Sequence, residues 1–292
     1  MTERLSDISA RIEGIRQLGA VVNAMRGIAA ARAQQARGQL VAVDSYSATI
    51  ALAIGRNLAL VPTAGSSTAG RSTRSALVLF CAEQGFAGAF SERVLDAVRA
   101  DLSESELFLV GTRGRAVAAE RGIVAGWYSS MPSHSLGVPK LADRISEALY
   151  SRIATGEIGR LDTVFSQWRP GHGIHVERRS LFPLDMSSFP HPANADAPLL
   201  NLSPETLMIE LAADYVYAQL CNTALHAFAA ENEARMEAMA SARSQIERQL
   251  SELQATRRIV RQEEITAEII ELAAGETASR SDYTLKNSAK NG

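Results

Sequence analysis

The chain has 292 residues, of which 46% are hydrophobic and 21% charged, a composition typical of one large or two small globular domains. Its net charge of −2 argues against general nucleic-acid binding, which requires a basic surface to neutralise phosphates. The charged, periodic N-terminus is not that of a signal peptide, and no apolar run approaches the roughly 20 residues that span a bilayer. If the protein works at a membrane, we expect it to do so as a peripheral subunit.

The first 60 residues predict one long helix, because proline is absent before Pro62 and apolar residues recur every three or four positions. Gly14, Gly19 and Gly27 each weaken this helix by roughly 1 kcal/mol relative to alanine, and we interpret them as places where two backbones approach closely. An extra three-residue step from Ile15 to Leu18 predicts a local perturbation of the pattern. The predicted seam comprises Ile8, Ile12, Ile15, Leu18, Val22, Met25, Ala29, Arg32 and Ala36.

The middle of the chain predicts an inserted domain. Residues 62–74 are rich in proline, glycine, serine and threonine, as in a flexible link. Between 75 and 190, apolar strand-like runs alternate with helical patterns, which indicates a Rossmann-like α/β domain. The predicted strands are 75–81, 107–111, 123–125, 163–168 and 175–181, and the predicted helices are 91–102, 113–121 and 139–154.

Two features of this domain suggest chemistry only weakly. Gly85 and Gly88 follow the first strand, but their G-x-x-G spacing is not that of a phosphate-binding loop. His172 lies in the polar loop 169–173 and His175 follows it, without other clustered ligands, so we predict no metal site. We also predict no cofactor and no catalytic residue. The two cysteines lie far apart in the sequence and favour a reducing compartment over a disulfide.

The strongest signal is the C-terminal helix, predicted to span 204–275. Ser203-Pro204-Glu205 combines an N-cap, a proline at the first helical position and an acid in the first turn, and Gly275 is a natural stop. Such a helix has about 70 residues and a length of roughly 105 Å, too long for one compact core to bury. The predicted seam comprises Met236, Met239, Arg243, Ile246, Leu250, Leu253, Arg257, Val260, Glu264 and Ala267.

The two seams predict an antiparallel pair of helices, because the chain must leave and return around the inserted domain. The fold class is therefore α/β, with a long antiparallel coiled coil of N- and C-terminal helices that carries the inserted domain. The charges within the second seam leave two interpretations open. They extend to solvent beside the partner helix, or they mark where the helix leaves its partner and faces other subunits.

Three segments resemble the F-type ATP synthase gamma subunit. Residues 22–32, VNAMRGIAAAR, are similar to the family's N-terminal "I..AM..VAA.K" signature. Residues 231–239, ENEARMEAM, are similar to "SE.AARM.AM", and residues 261–269, RQEEITAEI, are similar to "RQ..IT.EI". These motifs stand in the family's order at the two ends of the chain.

This resemblance implies a rotor subunit of the central stalk. Ion flow would turn the membrane c-ring, and the shaft would turn with it inside the hexamer of alpha and beta subunits. The globular domain would stand on the ring beside the epsilon subunit, so the chain would be peripheral, at the cytoplasmic face of a bacterial membrane. ATP chemistry would stay in the beta subunits, and this chain would have no catalytic residue.

The same resemblance implies a set of subunit contacts. Arg261 and Gln262 would contact a beta-subunit loop, with Thr266 close by, and a charge-assisted hydrogen bond there is worth roughly 1.5–3 kcal/mol. Met25 would lie near the beta subunit's moving loop, although packing against the C-terminal helix accounts for it equally well. Arg257 and Glu264 flank Arg261-Gln262, the stretch expected to leave its partner helix and face the hexamer.

Some residues depart from the family's pattern. The loop "DRGLCGGLN" stands here as EQGFAGAFS at 83–91, and Arg258 replaces an asparagine. A polar tail at 276–292, interpreted as disordered, extends past the usual end. These departures favour a divergent member, for which a second, sodium-type ATPase complex of the host is one origin. The alternatives are a non-rotary coiled-coil scaffold with an α/β head and a nucleotide-dependent enzyme.

Overall fold

The computed structural model describes residues 5–60, 74–155, 157–190 and 199–288, with side chains described as far as Gly275. Most of the predicted link at 62–74 lies outside these residues. The described chain forms two compact units. The helical unit combines Met1–Met25 with Met239–Gly292, and the mixed unit is Arg26–Ala238. Among the described residues, no helix is both long enough and apolar enough to cross a membrane.

The chain's elements alternate between helix and strand after the first helix. The helices are α1 (Leu5–Leu58), α2 (Phe90–Ala97), α3 (Thr112–Glu120), α4 (Val138–Ala154) and α5 (Pro204–Ser288). The strands are β1 (Arg74–Phe80), β2 (Ser105–Val110), β3 (Trp127–Ser129), β4 (Ile158–Arg169) and β5 (Gly173–Phe182). Two short 3₁₀ turns lie at Ser135–Gly137 and Met186–Ser188.

The five strands form one sheet in the order β3-β2-β1-β4-β5. Strands β1 to β4 run parallel, and β5 joins β4 antiparallel at the edge. Leu77 and Leu79 of β1 face α2 and α3, whereas Val78 and Phe80 face α4 and α5. Burial on both faces explains why β1 is a continuous apolar run. The predicted Rossmann-like arrangement of strands and helices is confirmed.

One predicted strand is wrong. Residues 123–125 do not form the third strand, which lies at Trp127–Ser129. Instead, Gly122 has a positive φ of 70°, and the amide of Ile123 donates to the carbonyl of Ala118. This geometry ends α3, because glycine adopts the left-handed conformation that caps a helix without steric cost. The apolar character of Ile123 therefore reflects packing under the helix end rather than a strand.

The helical unit contains the antiparallel pairing that the sequence predicts. Val22, Met239 and Ile246 form its buried cluster, and Ile15, Met25, Ala242 and Leu250 pack against it. On the α1 side of this unit, the seam differs from the predicted one at Leu18. Leu18 is 53% exposed, and Gly19 takes its place against Ile246. The extra three-residue step predicted at Ile15 lies instead between Val22 and Met25, since Ile12, Ile15, Gly19 and Val22 alternate regularly by three and four and Met25 follows by three.

The close-approach interpretation of the α1 glycines holds for one of the three. A Cβ on Gly19 would lie 3.4 Å from Cγ2 of Ile246, whereas a Cβ on Gly14 or Gly27 would meet nothing within 4 Å. Gly14 and Gly27 are on exposed faces of the helix. Their presence in α1 has no explanation in its packing.

The start of α5 has the predicted cap, but its predicted end at Gly275 is wrong. Ser203 Oγ accepts a hydrogen bond from the amide of Thr206 at 3.2 Å. At the other end the helix continues through Gly275 to Ser288, so the interpretation of 276–292 as a disordered tail is wrong at least as far as Ser288. Glycine stops a helix when it takes a positive φ, and Gly275 does not. Surrounding alanines and glutamates offset its cost of roughly 1 kcal/mol.

Candidate functional site

Most of the predicted contact residues lie on one exposed stretch of α5. Arg261, Gln262, Glu264 and Thr266 are all exposed, as is every residue from 261 to 275. The Thr266 hydroxyl donates to the carbonyl oxygen of Gln262 at 2.8 Å, a bond within the helix. Side chains at this stretch are therefore available to a partner.

The antiparallel pairing explains where this exposure begins. Gly19 lies against Ile246, and Arg243 Nη1 lies 3.5 Å from the side-chain oxygen of Asn23. An equal step back along α1 and on along α5 brings Leu5 opposite Val260. Val260 is also the last half-buried residue of α5 among those whose side chains are described, which end at Gly275. The first described residue of α1, Leu5, thus lies level with the point at which α5 becomes exposed.

The charged seam positions behave in different ways. Arg243 is exposed and pairs with Glu247 at 2.8 Å, while Ala242 occupies the seam beside it. Arg257 is half-buried within the paired region, and Glu264 is exposed beyond it. Arg243 therefore fits the interpretation in which a seam charge extends to solvent beside the partner helix. Glu264 fits the interpretation in which α5 has already left its partner helix.

Met25 is separated from the exposed stretch. It packs against the buried cluster of Val22, Met239 and Ile246. Of the two accounts of Met25 left open by the sequence, packing against α5 is the one present in the structure of this chain. Met25 is half-buried rather than fully buried, so part of its side chain also reaches the surface.

The exposed end of α5 has an apolar stripe that the motif comparison did not single out. Ile265 is 47% exposed, Ile269 60% and Leu272 74%. Their spacing of four and three places them on one face of the helix. Large exposed apolar side chains grouped in this way are typical of a protein interaction surface. The sequence contains a signal for this stripe, because large apolar residues still recur at spacings of four and three after Val260, where α1 no longer covers α5.

The α/β domain has the sheet topology of a ligand-binding fold. Ligands of such sheets bind at the carboxyl ends of the strands, where the strand order reverses, here between β1 and β4. The loop after β1 carries Glu83, whose carboxylate accepts hydrogen bonds from the Thr112 amide at 2.9 Å and from its hydroxyl at 2.6 Å. The amide of Met131 donates to the same carboxylate at 2.8 Å. A side chain of the chain itself thus occupies the N-terminus of α3.

A second carboxylate, from α5, binds two backbone amides of the loop itself. Glu231 accepts hydrogen bonds from the amide of Glu83 at 3.0 Å and from the amide of Gln84 at 3.2 Å. These are the backbone groups that a phosphate would use in a nucleotide-binding loop. The weak G-x-x-G match at Gly85 and Gly88 therefore belongs to a loop in which the amides of Glu83 and Gln84 bind the chain's own Glu231 carboxylate.

The two cysteines and the two loop-region histidines do not form a catalytic or metal site among the described residues. Cys81 and Cys221 are free and buried. Burial, with Glu231 nearby, raises the pKa of the Cys81 thiol to about 12, and burial raises that of Cys221 to about 11, so both thiols are protonated at neutral pH. The described residues contain no group of three metal-binding side chains. His172 bonds to the Pro170 carbonyl and His175 lies 3.1 Å from Glu177.

The fold and the site define a stalk-type subunit of a larger assembly. The features that define this class are an antiparallel helix pair, an α/β domain inserted in the sequence between the two helices, and a helix end with exposed apolar and charged residues. Comparison with known proteins agrees with this class. The family model described as ATP synthase matches residues 4–278. The ATP synthase gamma chain of Chlorobium luteolum is 26% identical over 291 residues, covering 94% of this chain and 98% of the relative. That of Parafrankia sp. is 27% identical over 295 residues, covering 95% and 98%.

Solved structures share the fold. A chain of the Euglena gracilis mitochondrial ATP synthase, in a structure of its OSCP/F1/c-ring, superposes with a TM-score of 0.60 at 12% identity and covers 95% of both chains. A chain of the central stalk and c-ring of the Tetrahymena thermophila enzyme superposes with a TM-score of 0.55 at 18% identity, covering 76% of this chain and 99% of that one. Because the family match spans nearly the whole sequence, the chain belongs to the ATP synthase gamma family.

Proposed function

We propose that this chain is the rotor subunit in the central stalk of an F-type ATP synthase. It couples ion-driven rotation of a membrane ring to ATP synthesis or hydrolysis in the beta subunits. The observation that carries this proposal is the stretch 261–275 of α5, which extends past the paired region with all its residues exposed. An exposed apolar stripe on such a stretch requires a protein surface around it, and a hexamer of alpha and beta subunits supplies one.

The shaft suits this role because pairing stiffens two helices that would each bend alone. Its faces are unlike one another, so a turn of the shaft presents different side chains to each beta subunit in succession. We propose that the chain itself is non-catalytic and that ATP chemistry stays in the beta subunits. The Glu231 carboxylate binds the loop amides of Glu83 and Gln84, and the Glu83 carboxylate binds the amide of Thr112 at the start of α3, which supports this view.

Arg261 and Gln262 are proposed to contact a beta-subunit loop, with Thr266 close by and Arg257 and Glu264 flanking them. Met25 is proposed to lie near the beta subunit's moving loop, away from this contact. A charge-assisted hydrogen bond of roughly 1.5–3 kcal/mol holds one rotary state and is still broken at the next step. The exposed position of Arg261, Gln262 and Thr266 supports the proposal. Met25 contributes through its packing with α5.

The α/β domain is proposed to meet the epsilon subunit and the membrane c-ring. The mixed unit exposes Leu52, Leu199 and Ile209 at the end of α1 and near the start of α5, which supports a further protein contact there. The chain would be peripheral, held at the cytoplasmic face of a bacterial membrane through the complex. Its membership of a second, sodium-type complex stays a prediction.

Affinity purification of the tagged full chain from its host tests the proposal. We expect alpha and beta ATPase subunits to co-purify with it, together with ATP hydrolysis that the isolated chain lacks. A scaffold protein would instead self-associate without ATPase subunits. A nucleotide-dependent enzyme would bind nucleotide as the purified single chain. Either of these results, without the ATPase subunits, would contradict the rotor proposal.

A further inference from the structure

The part of α5 beside the sheet carries a group of buried charges. Glu231 is 3% exposed, Glu233 8% and Arg235 5%. Burying a charge is costly unless it is paired and hydrogen-bonded, so these residues need partners. From Met236 onward the helix is no longer continuously buried. The charges therefore lie in the last fully buried stretch of α5 within the mixed unit.

Two of these residues bind the loop after β1. The Glu231 carboxylate accepts hydrogen bonds from the backbone amides of Glu83 and Gln84. The Arg235 guanidinium donates hydrogen bonds to the carbonyl oxygen of Gly85 at 3.2 Å and to that of Gln84 at 3.4 Å. Arg235 also donates to Glu231 at 2.5 Å. We call this arrangement the clamp: the side chains of Glu231 and Arg235 with the backbone of residues 83–85.

The clamp is anchored on the sheet side as well. Glu83, whose amide is part of the clamp, uses its own carboxylate to bind the amides of Thr112 and Met131 at the ends of β2 and β3. The loop thus connects three parallel strands to α5. On the same stretch of α5, Glu233 pairs with Arg37 of α1, and the Arg37 guanidinium lies 4.4 Å from the centre of the Trp168 ring in β4.

Apolar packing and directional bonds resist different movements. The α5 residues Leu220, Ala224 and Phe228 pack on the sheet through apolar contact, which has no preferred direction and opposes separation more than rotation or sliding. Hydrogen bonds lose strength steeply when their angle changes. The clamp therefore fixes the rotational and axial position of α5 against the α/β domain.

We propose that Glu231 and Arg235 are positioning residues that transmit torque between the α/β domain and α5. The proposal rests on the rotor function proposed above. Torque from a membrane ring enters the chain at the α/β domain and has to reach the exposed end of α5. Because α5 is one continuous helix from Pro204 to Ser288, a bond that fixes its rotation at Glu231 passes torque along it.

The chain contains a matched control pair. Arg243 and Glu247 form an Arg–Glu ion pair four residues apart on the same helix, but with side chains 48% and 59% exposed. Four variants are compared: Glu231→Gln, Arg235→Met, Glu247→Gln and Arg243→Met. Each is assembled into the full ATP synthase in membrane vesicles. ATP hydrolysis and ATP-driven ion pumping are measured on the same vesicles.

We expect Glu231→Gln and Arg235→Met to keep ATP hydrolysis near the wild-type rate while losing most of the ion pumped per ATP. Hydrolysis persists because the end of α5 can still turn within the hexamer. The two control variants should retain both activities. A purely structural role for the clamp would instead lower complex yield and thermal stability and leave the ratio of pumping to hydrolysis unchanged.

If Glu231→Gln and Arg235→Met complexes pump as much ion per ATP as the controls, the torque proposal is overturned. If Arg235→Met does not assemble, Glu231→Gln decides, because it keeps the shape of the side chain and one acceptor oxygen while removing the charge. Failure of the underlying rotor function has a different result. In that case neither the wild-type chain nor the control variants would be found in the ATPase complex.

Discussion

Gly19 of α1 lies directly against Ile246 of α5, where a Cβ would sit 3.4 Å from the Ile246 Cγ2 atom. That distance is the lower end of ordinary van der Waals contact, so one methyl group fits and a larger side chain does not. Gly19→Ala should raise the stability of the helical unit by roughly 0.5–1 kcal/mol, because alanine loses less backbone entropy in a helix. Gly19→Leu should lower it through overpacking. Thermal unfolding of the purified chain measures both.

Gly55, also in α1, provides the contrasting control. A Cβ there would overlap the backbone carbonyl oxygen of Pro190, which cannot move aside as a flexible side chain can. Gly55→Ala should therefore destabilise the chain although the same substitution stabilises at Gly19. Equal effects at the two sites would show that helix propensity alone, rather than packing, governs these glycines.

The sequence predicts the long-range architecture well because long elements carry periodic signals. Ser203 before Pro204 locates the start of α5, and the lack of any glycine or proline from 205 to 274 predicts that the helix is long. Local exceptions are harder to predict. The seam position of Gly19 is invisible to hydrophobicity, since glycine has no apolar side chain and Leu18 beside it is the better apparent candidate.

The candidate sites divide in the same way. Exposure of Arg261 follows from helix pairing, which the sequence contains. The clamp cannot be predicted from helix pairing, because the hydrogen bonds between Glu231 and residues 83–84 join parts of the chain that are 147 or more residues apart. A buried charged pair at Glu231 and Arg235 looks like an ordinary i, i+4 surface pair until the loop that covers it is known.

Arg261→Ala should impair coupled ATP turnover in the assembled complex. The exposed guanidinium has its proposed partner on a beta subunit, and loss of a charge-assisted bond there costs roughly 1.5–3 kcal/mol. The helicity of the isolated subunit should not change, because Arg261 is exposed on α5. Steady-state ATPase assays and circular dichroism measure these two quantities. Arg248→Ala, an exposed arginine that donates to Gln245 within the helix, serves as the control, and equal turnover in the two variants would contradict the beta-subunit contact.

The apolar stripe should contribute to assembly. Ile265→Ser with Ile269→Ser removes two exposed side chains, so the isolated chain should keep its stability. Each isoleucine that a partner buries contributes roughly 1.5–3 kcal/mol, so the double variant should bind the alpha and beta subunits more weakly. Reconstitution titrations with purified alpha and beta subunits measure the affinity. Ile28→Ser, on an exposed face of α1, is the comparison, and unchanged affinity in the double variant would remove the stripe from the interface.

His226 should make the stability of the mixed unit depend on pH. Burial first, and the nearby positive charge of Arg179 second, lower the pKa of His226 below its ordinary value of 6.5, although Asp44 and Glu177 oppose this shift. The neutral ring stacks on Phe165 with the ring centres 6.0 Å apart. Below pH 6.5 the unfolded chain binds a proton that the folded chain does not, so His226 destabilises the fold as the pH falls towards its lowered pKa. Above pH 6.5 this contribution is constant.

His226→Phe keeps a flat ring beside Phe165 and removes the titrating group. Its melting temperature should therefore fall less than that of the wild type as the pH is lowered from 7 to 5, and thermal unfolding across this range tests the difference. Arg179 remains in the variant, bonded to Gln219 and Asn222 at 3.0 and 2.8 Å, so its contacts do not account for a change. His172→Gln, at an exposed loop position, should keep the wild-type dependence. Parallel curves for the wild type and His226→Phe would assign the acid sensitivity to groups other than His226.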